Sequence, residues 1–485
     1  ILLSAGLQWD PDDDETDVAA FGLSWKGEDA RQVQFGYRFR RDSVDQADVR
    51  ARYPLTGNLN LIGRFDYSFA DDTTLELLGG VEYESCCWAI RASVRRYIRD
   101  RVSGYSRGTR LSNGNALIGM LAYTAIDHGV EILTETPLTG FEADGQGGYR
   151  IRAGQRGQEM LVRSRKGLVL AGGGFPANKA WARRHFPHLS GREHSHRSLA
   201  PDSNTGDTLS IAIDLGARLV TDRLHPAAWT PVSLVPQKDG TTLPFPHFFD
   251  RGKAGYIAVT REGKRFTNEA RSYHDFVPAM IKACAQNDDT ECFLICDHAA
   301  IRRYGLGVSP PAPGRLGPHL RTGYIQRGDS LAELATHCGI DPSGLTETVS
   351  AFNADAAAGR DPEFAKGGDC YQRFNGSAGH VPNPCLAPLT RPPFYAVRII
   401  PGDLGTFVGL DTDEESRVLA EDGTPIAGLY AVGNDAASFM GGAYPGAGIT
   451  NGPALVFGYR LGVHIASGAG PSAEPASLSK HESHG

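Results

Sequence analysis

The stretch GGAYPGAGITNGPALVFGYRLG, residues 441–462, joins a glycine-rich bend to an apolar run. Five glycines and two prolines fall within 441–453. The apolar run predicts a helix with Pro453 as its first residue, where the missing N–H of proline costs nothing. The bend then presents bare backbone N–H groups at the positive end of that helix, which suits an electron-rich oxygen or ring edge. The stretch therefore predicts a large planar cofactor lying against the backbone.

The composition is that of an ordinary folded protein. Of the 485 residues, 41% are hydrophobic and 22% are charged. The net charge of −7 gives no general attraction to nucleic acid or anionic membranes, so small-molecule chemistry is favoured. The eight cysteines lack zinc-ligand spacing, and we expect no metal site. We also expect neither a signal peptide nor a transmembrane helix, and a chain that begins at Ile1 is expected to be a fragment.

The first hundred residues alternate between apolar and polar side chains. The alternation is clear in 33–39 and 47–53, and it recurs through 59–69, 75–83 and 88–94. A period of two predicts strands, and the turn residues between them predict an antiparallel β-meander with one apolar and one charged face. The pattern fits a soluble sandwich with an apolar core, and it fits equally an outer-membrane barrel whose apolar face meets lipid.

Two stretches of this region resemble a known family. RRDSVDQADVRARYPLTGNLNLIGRFDYSF (40–69) and LLGGVEYESCCWAIRASVRRYIRD (77–100) are similar to the C-terminal barrel strands of the outer-membrane lipopolysaccharide-assembly protein LptD. The resemblance implies that residues 1–102 are an outer-membrane-barrel-like fragment, with a membrane partner only if it inserts. In that family the cysteines at the places of Cys86 and Cys87 form disulfides to an N-terminal periplasmic domain, which we do not find here. Five or six strands are also fewer than the roughly eight that close the smallest barrel.

From about residue 103 the chain alternates helices and strands with glycine-rich corners, which is typical of an α/β domain. The stretch 113–130 has helical spacing of apolar residues. Two buried strands, Leu168–Ala171 and Leu429–Val432, each run directly into a glycine corner. Strand ends of this kind are where an α/β sheet brings a ligand against the backbone. Gly172, Gly173, Gly174 and Ala177 match the G-x-G-x-x-A turn loosely, without the acidic residue that a complete dinucleotide fingerprint has about twenty residues onward.

Three segments taken together resemble the FAD-dependent flavoproteins of the fumarate reductase type. They are GLVLAGGGF (167–175), GKRFTNEARSYHDF (263–276) and the stretch 429–462. The resemblance covers residues 103–468 and implies an α/β flavoprotein fold with FAD as the cofactor. It implies a FAD-binding domain in two segments and an α+β cap domain between them. The implied parts are a first FAD segment at 103–222, a substrate or cap domain at 223–375, a second FAD segment at 376–468, and a disordered tail at 469–485.

The same resemblance implies the cofactor contacts. Families of this type begin with a strand and a G-x-G-x-x-G turn that holds the FAD pyrophosphate at a helix N-terminus. That unit is missing from this sequence, where barrel-like strands stand in its place, so we expect weak or absent FAD binding. The implied cofactor-binding residues are Gly172, Gly173, Gly174, Gly433, Asn434, Asp435, Gly448, Ile449 and Thr450.

Within the family, the 3-ketosteroid dehydrogenase branch is the nearest in pattern. Fumarate-reducing members carry an arginine four residues after the glutamate equivalent to Glu269, and this place holds Tyr273, with Arg271 out of register. Dicarboxylate reduction is therefore not expected. In the ketosteroid branch, the residue at the place of Tyr444 and the backbone N–H at the place of Gly448 hold the ketone oxygen. The residue at the place of Tyr273 takes a proton while flavin takes hydride, although a phenol with a pKa near ~10 is a weak base.

Three interpretations remain open from the sequence. The first is a cytoplasmic FAD-dependent oxidoreductase that desaturates a carbon–carbon bond beside a ketone on a small, apolar, steroid-like substrate, with an electron acceptor that the sequence does not identify. The second is an outer-membrane assembly fragment, and the third is a non-functional chimera of the two. Packing is the alternative role for Tyr444 and Tyr273, and His274 and His225 are predicted to be satisfied loop histidines.

Overall fold

The structure is a computed structural model of the whole chain. The chain divides into two compact units, Ile1–Ile132 and Leu133–Gly485. The adjacent cysteines Cys86 and Cys87 and the predicted tail at 469–485 lie outside the residues that the structure describes. The described residues are 1–10, 15–27, 31–41, 44–55, 59–70, 72–84, 89–92, 103–105, 109, 111, 113–144, 148–155, 158–189 and 195–468.

The first unit contains an antiparallel meander in which each strand pairs with the next along the chain. The sheet has seven strands rather than the predicted five or six, because two strands precede the first alternating stretch. The unit also contains the predicted helix, α1 (Asn113–Asp127), which ends just before Gly129 at a φ of 74°. The strands are β1 (Leu2–Asp10), β2 (Glu15–Lys26), β3 (Gln32–Arg40), β4 (Val44–Pro54), β5 (Leu59–Ser68), β6 (Thr73–Glu84) and β7 (Ala89–Ala92).

The register of the meander confirms the predicted alternation. Phe35 on β3 lies opposite Val49 on β4, which in turn lies opposite Phe65 on β5, so these apolar side chains share one face. Their exposed fractions are 37%, 38% and 41%. On the other face, Asp48 lies within ion-pair distance of Arg38 and Arg50. The two faces are therefore chemically distinct, as the period of two predicts.

The second unit holds several small sheets and one larger one. The strands β8, β9 and β10 form one antiparallel sheet, and β11 pairs in parallel with β21, on which β20 is added. The strand β18 is central to the six-stranded sheet, where it pairs with β13, β16 and β17. The strands are β8 (Leu138–Ala143), β9 (Tyr149–Gln155), β10 (Gln158–Ser164), β11 (Leu168–Leu170), β12 (Leu219–Val220), β13 (Ala227–Pro236), β14 (Thr242–Pro246), β15 (Tyr256–Val259), β16 (Cys292–Asp297), β17 (Gln326–Gly328), β18 (Phe394–Thr406), β19 (Gly409–Leu410), β20 (Arg417–Leu419) and β21 (Pro425–Ala431).

Most helices described in the second unit begin at a side-chain cap, although α3, α6 and α10 do not. Ser272 accepts a hydrogen bond from the N–H of Asp275 and so starts α4, while Asn178 caps α2 in the same way. The prediction for Pro453 was wrong by two positions, since α10 begins at Asn451 and the proline is its third residue. The first four N–H groups of a helix have no intrahelical partner, so proline still fits there. The helices are α2 (Lys179–His185), α3 (Asp207–Asp214), α4 (Tyr273–Ala283), α5 (His298–Tyr304), α6 (Gly317–Arg321), α7 (Leu331–Cys338), α8 (Pro342–Ala356), α9 (Cys370–Asn375) and α10 (Asn451–Ala466).

Two features of the second unit determine where the candidate site lies. The parallel pair of β11 and β21 brings the two predicted glycine corners to the same edge of one sheet, because both strands end there. The long strand β18 belongs to the six-stranded sheet although it lies beyond the predicted boundary at residue 375. The predicted domain boundaries themselves stay predictions.

In the part of the chain that the structure describes, no helix is both long and apolar enough to cross a membrane.

Candidate active site

The structure brings together the two tyrosines that the sequence analysis singles out. The hydroxyl groups of Tyr273 and Tyr444 are 2.7 Å apart, although 171 residues separate them in the chain. Tyr273 is the first residue of α4, and Tyr444 lies in the glycine-rich bend before α10. Their rings meet edge to face, with centroids 5.3 Å apart and planes inclined by 68°. The two phenols therefore converge on one point.

Aromatic rings surround this pair of phenols. The ring of Phe248 lies 4.7 Å from that of Tyr273. On the other phenol, the imidazole of His274 stacks against the ring of Tyr444 with centroids 5.1 Å apart and planes 13° from parallel. The ring of Phe407 lies 6.4 Å from that of Tyr444. The pair is thus held in a largely apolar setting.

Both phenols are harder to ionise than tyrosine in water. Burial is the main cause of the raised pKa of Tyr273, and the hydrogen bond to Tyr444 adds to it. Burial also raises the pKa of Tyr444, whereas the hydrogen bond from Tyr273 opposes that rise. Since the ordinary pKa of tyrosine is about 10, both groups are protonated at neutral pH. Each is then available as a hydrogen-bond donor.

A cavity of about 500 Å³ lies beside the tyrosine pair and shares Phe407 with it. This volume is within the range of about 300–1,000 Å³ that is usual for small-molecule sites. Four of the predicted cofactor-binding residues line the cavity together, although they come from two segments of the chain. They are Gly433, Asn434, Ile449 and Thr450.

The residues around the cavity suit a flavin. Ile449, Phe457 and Ala437 give it apolar walls, as the faces of a tricyclic ring require. At one end is the N-terminus of α10, a 16-residue helix whose positive end favours the electron-rich edge of such a ring. Thr406 also lines the cavity, and its hydroxyl is buried without a partner among the residues that the structure describes. We conclude that the residues present fit the flavin ring of FAD.

The backbone of the bend is open. A methyl group added at Gly446 or Gly448 meets no atom within 4 Å, and Gly448 has a φ of 95°, which favours glycine. Gly442 is different, because the backbone of His225 would lie 2.7 Å from such a methyl group. The prediction of bare backbone is therefore confirmed for part of the bend, and close packing of the protein on itself explains Gly442. The role of the Gly448 N–H toward a ketone stays a prediction.

The glycine corner after β11 is filled by the protein itself. The carboxylate of Asp435 accepts hydrogen bonds from the N–H groups of Gly172, at 2.7 Å, and Gly174, at 2.8 Å. The hydroxyl of Thr208 donates to the same carboxylate at 2.7 Å. Asp435 is fully buried. These amides therefore already have an anionic partner within the chain.

Close packing also explains why this corner is made of glycines. A methyl group at Gly172 would lie 2.7 Å from the Thr208 hydroxyl, and one at Gly173 would lie 2.5 Å from the Asn204 amide. A methyl group at Gly174 would collide with the hydroxyl of Thr406. Direct contact of Gly172, Gly173, Gly174 and Asp435 with FAD stays a prediction, and the contacts that the structure gives them are internal.

Sequence reasoning missed three residues of this site. His274 was predicted to be a satisfied loop histidine, but it lies in α4 against Tyr444, and its Nε2 is buried with no partner among the described residues. Thr406 is the last residue of β18 and Phe407 follows it, in a stretch that carried no motif. The position of His274 directly after Tyr273 was the one available signal.

A comparison with protein-family models identifies the fold family. Residues 14–450 match the model described as FAD binding domain. The chain belongs to this FAD-binding family. The predicted family, the α/β flavoprotein fold with an N-terminal meander and FAD as the cofactor are thereby confirmed. Relatives of this chain are dehydrogenases, in agreement with the predicted oxidoreductase class.

Two relatives support the resemblance to the 3-ketosteroid dehydrogenase branch. The chain is 40% identical over 363 residues to 4-oxocyclohex-2-ene-1-carboxylate 5-dehydrogenase of Sinomonas cyclohexanicum, covering 75% of this chain and 61% of that protein. It is 35% identical over 370 residues to 3-oxosteroid 1-dehydrogenase of Mycobacterium tuberculosis, covering 74% and 63%. The chain thus spans less than two thirds of the length of these relatives.

Among solved structures, the chain is similar to 3-ketosteroid delta1-dehydrogenase from Sterolibacterium denitrificans in complex with 1,4-androstadiene-3,17-dione. The TM-score is 0.70 at 36% identity, with 78% of this chain and 67% of that chain covered. A separate, shorter similarity of 46% over 96 residues is to LPS-assembly protein LptD of Nitrosococcus oceani. It covers 20% of this chain and 13% of that protein. The predicted resemblance to LptD is therefore confirmed as a partial one.

Proposed function

We propose that this chain carries out FAD-dependent dehydrogenation of a carbon–carbon bond beside the ketone of a cyclic substrate. The observation that carries the proposal is the 2.7 Å contact between the Tyr273 and Tyr444 hydroxyls, next to a cavity that fits a flavin. The similarity to dehydrogenases named for a 4-oxocyclohexene carboxylate and for 3-oxosteroids supports a cyclic ketone as the substrate class.

In this proposal the ketone oxygen is held by the Tyr444 hydroxyl and the N–H of Gly448. Negative charge develops on that oxygen as the neighbouring C–H loses its proton, and two fixed donors stabilise the charge more than they stabilise the neutral ketone. The raised pKa of Tyr444 suits this role, because it keeps the phenol protonated at neutral pH. The apolar rings around it keep competing water away from the oxygen.

Tyr273 receives the proton from the carbon next to the ketone. In its ionised form it accepts that proton and becomes the donor of the 2.7 Å hydrogen bond to Tyr444. A hydrogen bond donated to the Tyr444 oxygen lowers the pKa of Tyr444 and so makes it a stronger donor toward the charged substrate oxygen. Proton transfer thus strengthens the contact that stabilises its own product. FAD, when bound, supplies the acceptor for the hydride that leaves the adjacent carbon.

The cofactor contacts and the domain organisation belong to the same proposal. Gly433, Asn434, Ile449 and Thr450 would hold the flavin ring, and the N–H of Gly448 would hold the substrate. Residues 103–222 and 376–468 then form the FAD-binding part, and 223–375 form the cap that carries Tyr273. The open cavity and the positive end of α10 support this assignment.

The proposal is tested by reducing the flavin with substrate. Protein loaded with FAD is mixed without oxygen with 4-oxocyclohexanecarboxylate or with 4-androstene-3,17-dione, and flavin absorbance is recorded while the product is identified by mass. We expect one of them to bleach the flavin and to lose two hydrogens. Cyclohexanecarboxylate, which lacks the ketone, is the control and leaves the flavin oxidised. Bleaching by neither ketone contradicts the proposal.

A further inference from the structure

We propose that His274 is the positioning residue of the tyrosine pair, and that the face of its imidazole fixes the ring of Tyr444. The inference rests on the proposed function of that pair. The two rings are 5.1 Å apart and 13° from parallel, so the imidazole covers one face of the phenol. This is the most nearly parallel contact that the structure gives to the Tyr444 ring among the described residues.

Tyr444 needs such support because its own backbone gives it little. It lies outside any helix or strand, in a bend where Gly441, Gly442 and Gly448 all have positive φ. Glycines make the backbone of a bend permissive rather than rigid. The orientation of the phenol therefore depends on the side chains that touch it.

His274 is itself held firmly. Its Nδ1 accepts a hydrogen bond of 3.1 Å from the backbone N–H of Trp229, which lies in β13. An imidazole nitrogen that accepts from an N–H carries no hydrogen, so the proton of the neutral ring is on Nε2. His274 is only 2% exposed and is the second residue of α4. The ring is thus tied to the six-stranded sheet at one edge and to the helix through its backbone.

The imidazole stays neutral while the tyrosines titrate. Burial first, and then the neighbouring His225, lower the pKa of His274 to about 3. The ring of His225 lies 4.8 Å from the ring of His274, and Asp275, the next residue of α4, opposes the lowering of the pKa of His225 by burial. Tyr371 adds to the raised pKa of Tyr444, and Arg251 opposes the raised pKa of Tyr273. No change in the charge of His274 therefore accompanies the ionisation of the pair in the neutral and alkaline range.

Histidine is not the choice that stability alone would favour. Its Nε2 is buried with no partner in the described part of the chain, and a buried donor without an acceptor costs about 1–3 kcal/mol. An imidazole, however, offers both a flat face for Tyr444 and a nitrogen that accepts from the Trp229 N–H. Phenylalanine offers the face alone, and asparagine offers the acceptor alone. These two substitutions separate the two functions.

The test compares His274→Asn with His274→Phe. We expect His274→Asn to lower kcat about 10-fold with little change in KM, because Tyr444 loses its ring support and the donor is misplaced. We expect His274→Phe to restore most of that loss, because its ring keeps a face for Tyr444 although the buried Trp229 N–H loses its acceptor. Recovery of kcat in His274→Phe supports the proposal. A loss of kcat in His274→Phe as large as that in His274→Asn overturns it.

A second readout needs neither FAD nor substrate. The ionisation of Tyr444 is followed by the ultraviolet absorbance of tyrosinate, with Tyr444→Phe as the reference that removes the contribution of Tyr444. We expect the transition to shift in His274→Asn and to stay near that of wild type in His274→Phe. An unchanged transition in His274→Asn overturns the inference even if the enzyme is active. A protein that turns over no ketone contradicts the proposed function, while this titration still decides the role of His274.

Discussion

Two glycine-rich segments look alike in the sequence and have different surroundings in the structure. The corner at 172–174 is packed against the chain itself, with its amides bound to the carboxylate of Asp435. The bend at 441–448 leaves Gly446 and Gly448 with open space beside them, and Ile449 and Thr450, which follow it directly, line a cavity of about 500 Å³. A glycine allows close approach, but the sequence does not say whether protein or ligand approaches. The predictions below test this difference between a filled corner and an open bend.

The largest effect is expected at the filled corner. Asp435→Ala leaves two backbone N–H groups and the Thr208 hydroxyl without their acceptor inside the fold. At about 1–3 kcal/mol for each buried unsatisfied group, we expect the free energy of unfolding to fall by about 3–5 kcal/mol. Urea unfolding followed by circular dichroism measures it. The matched control is Asp422→Ala, which removes an exposed carboxylate that accepts from Thr424 and is expected to cost about 1 kcal/mol or less. Equal losses for the two variants would show that the corner is not held by Asp435.

At the open bend we expect a substitution to lower turnover rather than stability. Tyr444→Phe removes a donor to the ketone oxygen, and we expect kcat/KM to fall about 100-fold. The affinity for FAD and the free energy of unfolding should change little, because the ring and its stacking on His274 remain. Steady-state kinetics and FAD titration measure these quantities. Loss of bound FAD without a further effect on turnover would assign Tyr444 a packing role.

A pair of alanine substitutions compares the two segments directly. Gly174→Ala places a methyl group against the Thr406 hydroxyl at a φ of 75°, so we expect a loss of about 2 kcal/mol in the free energy of unfolding. Gly446→Ala has neither a positive φ nor a neighbour within 4 Å, so we expect a change within about 0.5 kcal/mol. Thermal or urea unfolding of the two variants is the measurement. A large loss in Gly446→Ala would mean that the bend is packed, and the comparison would fail.

The rate should also change with pH. Tyr273 must be ionised to accept a proton, and its pKa lies above the ordinary value of about 10 because of burial and the hydrogen bond with Tyr444. The ionised fraction, and with it kcat/KM, should therefore rise about tenfold per pH unit from neutral pH to beyond pH ~10. Tyr273→Phe should abolish that rise. A plateau at neutral pH in the wild-type protein would mean that another group accepts the proton.

Much of the fold was predictable from the sequence because local patterns determine it. The period of two in 33–39 and 47–53 requires strands β3 and β4, and the helical spacing after residue 113 requires α1. The two buried strands before the glycine corners were predicted to within a few residues. That Tyr273 and Tyr444 belong to one site was also predicted, through resemblance rather than through spacing, whereas the hydrogen bond between them was not.

What the sequence did not predict depends on contacts between distant residues. Asp435 was predicted to bind the cofactor, and its hydrogen bonds to Gly172 and Gly174 join positions more than 260 residues apart. The stacking of His274 on Tyr444 depends on how α4 meets the bend, which no local pattern encodes. For the same reason the sequence could not distinguish glycines that pack against protein from glycines with open space beside them.

The central claim is that the cavity between β21 and α10 is the place of the flavin ring. It is tested most directly by filling that cavity and measuring FAD binding. Ala437 lines the cavity, and Ala437→Trp would occupy it. We predict that the wild-type protein quenches FAD fluorescence in a saturable way, with the weak affinity that the sequence leads us to expect. Ala437→Trp should weaken that affinity at least about 10-fold further without lowering the unfolding temperature of the free protein. Equal affinity in the two proteins, or no binding by the wild type, would contradict the account.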